Sequence, residues 1–169
     1  MNAVSDTTFD GRSNSFRATS RALVAVLRVY LGVILFVTVL GKLTRNEPFA
    51  TEMLGFLGGV VRRRALPWYT DFIQQVVIPH ATLFSYFVMT GELFAAISLL
   101  TGTCTRLGAL VAMFLFLNFM LSKGRMFWSP DSQDAAVFFI ALVVCLGRAG
   151  RVWGVDALLA RRWPRAWVW

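Results

Sequence analysis

FSYFVMTGELFAAISLLTGTCTR, residues 84–106, decides how the rest of the chain is read. Extended back to Ala81, the run is long enough to cross a hydrocarbon core of about 30 Å as a helix rising about 1.5 Å per residue. Near its middle stands one carboxylate, Glu92. An ionisable group at that depth costs a few kcal/mol or more unless a partner or a wet cavity meets it, so Glu92 is the first candidate for function.

Composition points the same way. With 57% hydrophobic and 15% charged residues and a mean hydropathy of +0.62, the 169-residue chain is too apolar for an ordinary soluble domain. The net charge of +8 comes from 17 Lys and Arg that lie mostly between and outside the apolar runs. That placement suits topology and contact with anionic lipid, and excludes the continuous basic face of a nucleic-acid binder. Two cysteines exclude a disulfide-stapled secreted fold. No Cys-x-x-Cys or His-x-x-His spacing occurs and the one histidine is His80, so neither a metal site nor a covalently held cofactor is predicted.

Toward the N-terminus, residues 42–79 are too mixed for a turn. Asn46-Glu47-Pro48 reads as a helix start, after which Phe49, Met53, Phe56, Leu57 and Val60 share one face. A short amphipathic helix on the membrane surface is expected, ended by Gly58-Gly59, with Arg62-Arg63-Arg64 a basic knot after it. Pro67-Trp68-Tyr69 reads as a second start at an interface. This loop is where a partner protein would meet the chain, unless it is simply lipid-facing surface. The preceding span covers residues 23–41 and is interrupted by Arg28, two turns in. Arg28 either snorkels to the near interface or pairs with Glu92. Residues 1–20 read as a flexible polar tail.

Toward the C-terminus, Thr101-Gly102-Thr103 makes a tight hairpin in which Thr103 or Thr105 caps the next helix. Two further spans follow at 106–123 and 130–148, the last with Ser129 as cap and Pro130 in its first turn. Asn118 is read as a helix-to-helix hydrogen bond. Residues 155–169, rich in Arg and Trp, form an interfacial tail. The expected fold is all-α: a four-helix transmembrane bundle over 21–154, its second span at 81–102, with an amphipathic helical loop between helices one and two.

Four spans put both ends on one side. That side carries Arg12, Arg17, Arg21, Arg28, Arg106, Arg148, Arg151, Arg161, Arg162 and Arg165, against Lys42, Arg45, Arg62, Arg63, Arg64, Lys123 and Arg125, ten to seven. The excess predicts cytoplasmic termini.

Several pieces then fall in a familiar order: Arg28-x-x-x-Gly32 and Gly41-Lys42, Gly91-Glu92, Leu99-Leu100-x-Gly102-x-x-Thr105-Arg106, Gly147-Arg148-Ala149-Gly150-Arg151, and Gly154-x-Asp156. Over residues 21–159 the chain resembles the DoxX family of small four-helix membrane proteins, which includes the DoxD-like subunit of thiosulfate:quinone oxidoreductase. The resemblance implies a protein of a bacterial or archaeal cytoplasmic membrane, tied to redox chemistry through quinone or sulfur compounds and working beside other subunits. Two roles follow: an accessory subunit of a respiratory, photosynthetic or sulfur-oxidising membrane complex, or a DoxD-like subunit passing electrons to quinone.

A quinone site needs an apolar slot, polar groups for two carbonyl oxygens and a proton route. Glu92, Arg28 and Arg106 are the ionisable candidates, with Tyr30 and Tyr86 beside the ring. The same residues also suit a structural ion pair, Arg28 on Glu92, fixing the first span against the second. Cys104 and Cys145 both fall near the terminal face, where a redox-active thiol pair would be the alternative chemistry.

Overall fold

The computed structural model describes the backbone of residues 4–63 and 66–168 and the side chains from residue 19 onward, and every regular element among them is helical. In chain order these are α1 (Val4–Leu43), α2 (Phe49–Arg63), α3 (Pro67–Phe72), α4 (Ala81–Thr101), α5 (Thr105–Ser122), α6 (Gln133–Leu146) and α7 (Asp156–Arg162). Thr19–Leu43, Pro67–Thr101 and Thr105–Ser122 are long and apolar enough to cross a membrane. α6 is as apolar but has 14 residues, about 21 Å by helical rise.

α1 packs on α4, α4 on α5, α5 on α6, and α6 returns to α1. Their shared core is Leu31, Leu35, Ala95, Ala96, Leu99, Ala109, Ala112 and Val144, all closed to the outside. Small residues let these backbones approach, as expected where the outer surface is itself apolar and helices associate by close packing. Phe87, Ile97, Leu107 and Phe114 face outward. A second cluster joins Met53, Leu57 and Val60 of α2 to Tyr69 of α3, Ile73, Val77 and Ala81. α2 is therefore amphipathic as expected, but its apolar side is buried against α3 and the base of α4; Phe56, expected on that side, stays 40% exposed.

Five local expectations change. α2 does not end at Gly58-Gly59 but runs through them to Arg63, because Leu57 and Val60 on either side are held in the second cluster. The stretch taken as a flexible tail is helical from Val4 onward, because extending an existing span adds one hydrogen bond per residue without a new nucleus. The side chains of Arg12 and Arg17, with Arg64, lie outside the described residues. The second span begins at Pro67, not Ala81, and runs through a π turn at Ile73–Val77 and a 3-10 turn at Ile78–His80. Pro79 removes a donor and its ring displaces the carbonyl four residues back, and the irregular turns absorb that without ending the span. α6 starts three residues late: Ser132 Oγ, not Ser129, accepts from the helix N-terminus, at Ala135 N and 3.3 Å, while Ser129 Oγ accepts from Met126 N in the preceding loop. Finally, neither Thr103 nor Thr105 caps α5. The cap is the carboxylate of Asp156, 2.7 Å from Cys104 N and 2.9 Å from Thr105 N.

Asp156 reaches that position because residues 147–156 fold back as a hook against the α4–α5 hairpin. Arg28, 2% exposed, holds the hook by donating to the carbonyls of Ala149, Val152 and Trp153 at 3.1, 3.2 and 3.1 Å. Gly102 turns the hairpin with a φ of 68°, and a Cβ on it or on Gly154 would run into Arg28 Nη1.

Candidate functional site

On one side of the bundle α4 and α5 diverge from their hairpin, and α2 and α3 close the far wall of the space between them. The result is a cavity of about 750 Å³. α4 lines it with Phe84, Phe87, Val88 and Gly91, and α5 with Val111, Phe114, Leu115, Asn118, Phe119 and Ser122. Both sets recur every three or four residues, so each is one face of its helix. Phe49, Met53, Phe56 and Leu57 of α2 and Tyr69, Phe72, Ile73 and Val77 complete the apolar wall. At Gly91 a Cβ would make only ordinary contact with Leu115 and Val111, so alanine would fit there.

Lys42 lines this space and carries the charge. Its Nζ donates to both oxygens of Glu92, at 2.7 and 2.6 Å, and lies 4.3 Å from the centre of the Phe49 ring. Glu92 is 1% exposed and Lys42 14%, so the acid is sealed behind α4 while the ammonium shows at the cavity wall. Such a pair holds only while both members are present, because the survivor would be a buried unpaired charge.

The second polar point is neutral. Tyr69 Oη donates to Asn118 Oδ1 at 3.0 Å, Asn118 Nδ2 to Phe114 O at 2.7 Å, and Ser122 Oγ to Asn118 O at 2.7 Å. Asn118 thus bridges two helices, as its residue type suggests. Where the wall reaches the far interface, Glu52 and Lys123 bound it, each paired outward, with Arg45 and Asp134. The whole is an aromatic slot with a cation at one point and a hydroxyl–amide pair at another, a pattern suited to an apolar molecule bearing separated carbonyl oxygens.

Of Glu92, Arg28, Arg106, Tyr30, Tyr86, Cys104 and Cys145, the candidate site residues read from sequence, only Glu92 adjoins this cavity, through Lys42, whereas Asn118, read as a helix-to-helix bond, lines it. Arg28 does not pair with Glu92: the hook supplies three carbonyls at Arg28's own level, and α1 ends at a lysine within reach of the acid. Arg106 lies at the terminal face, donating to Cys145 O at 3.3 Å and Trp167 O at 3.1 Å. Tyr30 and Tyr86 stand on the outer surface, 54% and 64% exposed, away from the slot. Cys104 and Cys145 are both free. Burial, and then the charge of Asp156, pushes the Cys104 thiol above its ordinary range, which opposes thiolate chemistry there. Lys42, Tyr69 and Ser122 were missed. Spacing held the signal for Lys42, because it continues the stripe Arg28, Leu31, Leu35, Val39 along the buried side of α1.

The model of the DoxX family matches residues 23–122, more than half of the chain. No curated protein and no solved structure matches it.

Proposed function

The chain belongs to the DoxX family, and from that premise we propose that this multi-pass membrane protein is a subunit of a redox assembly that holds a lipid-soluble quinone in the cavity beside Lys42. One observation carries the reading: an aromatic-walled cavity of about 750 Å³ presents the Lys42 ammonium, backed by a sealed carboxylate, with the Tyr69–Asn118 pair elsewhere on its wall and Lys123 at its rim. The volume lies within the roughly 300–1,000 Å³ usual for small-molecule sites. Two N–H groups of Lys42 face Glu92, and a quinone carbonyl would take the remaining one; Tyr69 or Asn118 would meet the other oxygen. Glu92 holds the ammonium in place, so charge developing on a quinone oxygen would meet a fixed cation rather than mobile water. The electrons come from a neighbouring subunit, and the excess of basic residues on the terminal side supports an orientation with both ends in the cytoplasm.

The test is binding by the purified protein in mild detergent. A short-tailed benzoquinone, titrated calorimetrically, is expected to bind, to bind about tenfold more weakly to Tyr69→Phe, a loss of ~1.4 kcal/mol, and not to bind Gly91→Leu, whose side chain takes up cavity volume. Gly91→Ala should retain binding. Equal affinity in all four proteins would remove the cavity from the account, and isolation of the protein without companion subunits from its own membrane would remove the assembly.

A further inference from the structure

We infer that the cavity is loaded sideways from the bilayer, the ligand's tail lying between Phe87 and Phe114 and its polar head turned toward Lys42 and Tyr69. This rests on the quinone reading and adds the route and the orientation. Phe87 and Phe114 combine two properties that a closed wall does not: both line the cavity, and both are about two-thirds exposed, at 63% and 66%. A side chain with one flank in a cavity and the other on the outer surface stands at an edge where the two meet.

The depth of that edge decides what it opens to. Phe114 is nine residues from the start of α5 and Phe87 fourteen from the end of α4, hence about 14 and 21 Å from the hairpin by helical rise. Both depths fall inside a hydrocarbon core of about 30 Å, so the opening meets acyl chains. Apolar side chains border it: Phe84 packs edge-on against Phe87 with centroids 6.3 Å apart, and Val88 and Val111 line the cavity beside them.

The gap closes toward the hairpin. There α4 and α5 are in contact, and a Cβ on Gly108 would overlap Ser98 Oγ. A tail therefore has no way out at the terminal end. At the opposite end the lining changes character, with Ser122, Lys123 and Glu52 along one rim and the side chains of Glu52 and Lys123 44% and 45% exposed. The cavity is thus graded from a lipid-facing aromatic edge to a hydrated, charged rim. The molecule that matches both ends at once is an amphiphile with a compact carbonyl head and a long apolar tail, which fits a prenylated quinone better than a tail-less one.

Association rates separate the route from the site. In lipid nanodiscs, a long-tailed quinone and a tail-less benzoquinone are mixed with wild type and with Phe87→Trp/Phe114→Trp, whose bulk narrows the edge without touching Lys42 or Tyr69. The expected result is about tenfold slower association of the long-tailed quinone and a change below twofold for the tail-less one. Equal slowing of both, or no slowing of either, overturns the sideways route while leaving the site intact. A quinone with a photoreactive group at its tail end gives a second reading: cross-links on α4 and α5 near Phe87 and Phe114 support the orientation, and cross-links confined to α2 overturn it. If neither quinone binds wild type, or if a phospholipid stays in the cavity and quinone does not displace it, the functional proposal fails and this inference with it.

Discussion

Replacing Lys42 by Met leaves Glu92 with 1% exposure and, among the described residues, no other cation in contact. Removing one member of a buried ion pair costs about 3–5 kcal/mol, which for a chain of this size lowers Tm by roughly 6–20 °C. The reverse substitution, Glu92→Gln, should cost less. Lys42 lies near the end of α1, is 14% exposed, and has a long stem that can turn its ammonium toward the far interface. About 1–2 kcal/mol is expected for that change. With both changes together no charge is left buried, and the double variant should melt within about 1 kcal/mol of wild type, a coupling of 2 kcal/mol or more. Melting in detergent, followed by tryptophan fluorescence, measures all four corners of the cycle. Additive single effects would refute the pairing. A second cycle, Arg28→Gln with Glu92→Gln, should be additive within about 0.5 kcal/mol, since the two groups share no partner; strong coupling there would restore the pair that the sequence first suggested.

Arg28→Gln should release the hook: losing most of three charge-assisted bonds to carbonyls costs on the order of 3 kcal/mol, and trypsin should then cut at Arg148 or Arg161 well before the α4–α5 hairpin opens. Unchanged cleavage would mean the hook is held by packing alone. Cys104 should react slowly with iodoacetamide near neutral pH, because burial and Asp156 keep its thiol protonated; its rate should go on rising with pH where that of an ordinary thiol has levelled off, and fast labelling at neutral pH would contradict that environment.

Hydrophobic length revealed the spans, because a helix in lipid must satisfy its own backbone and show apolar side chains almost all round. That same property hid rotation. Tyr30 and Tyr86 are polar-tipped residues in apolar runs and so draw the eye, yet they sit outside the stripes that turn inward, Ala25, Arg28, Leu31 and Leu35 on α1 and Ser85, Glu92, Ala95 and Leu99 on α4. Small residues at helical spacing were the better guide to the inward side of α4. Depth alone also misassigned the partner of Glu92. Arg28 and Glu92 looked close when measured from one face, but the segment after α6 inserts at the level of Arg28, and an inserting loop has no periodic signature. The cavity was illegible for a related reason: Tyr69 and Phe72 reach it only because the second span continues past Pro79, where a proline ordinarily marks a boundary.

The pieces that carried the family resemblance separate, in the folded chain, into two groups that do different work. Arg28, Gly102, Thr105, Gly150, Gly154 and Asp156 meet at the hook, where glycines let backbone approach backbone and the two charges are spent on main-chain groups. Lys42, Gly91 and Glu92 meet at the cavity. A charge bonded to carbonyls or amide N–H groups of its own chain has a fixed task and little left to offer a ligand. Lys42 differs, since its counter-ion is hidden on one side and an apolar cavity lies on the other. Burial of charge by itself therefore does not identify the working site in this fold; what distinguishes Lys42 from Arg28 is that one borders space and the other fills it.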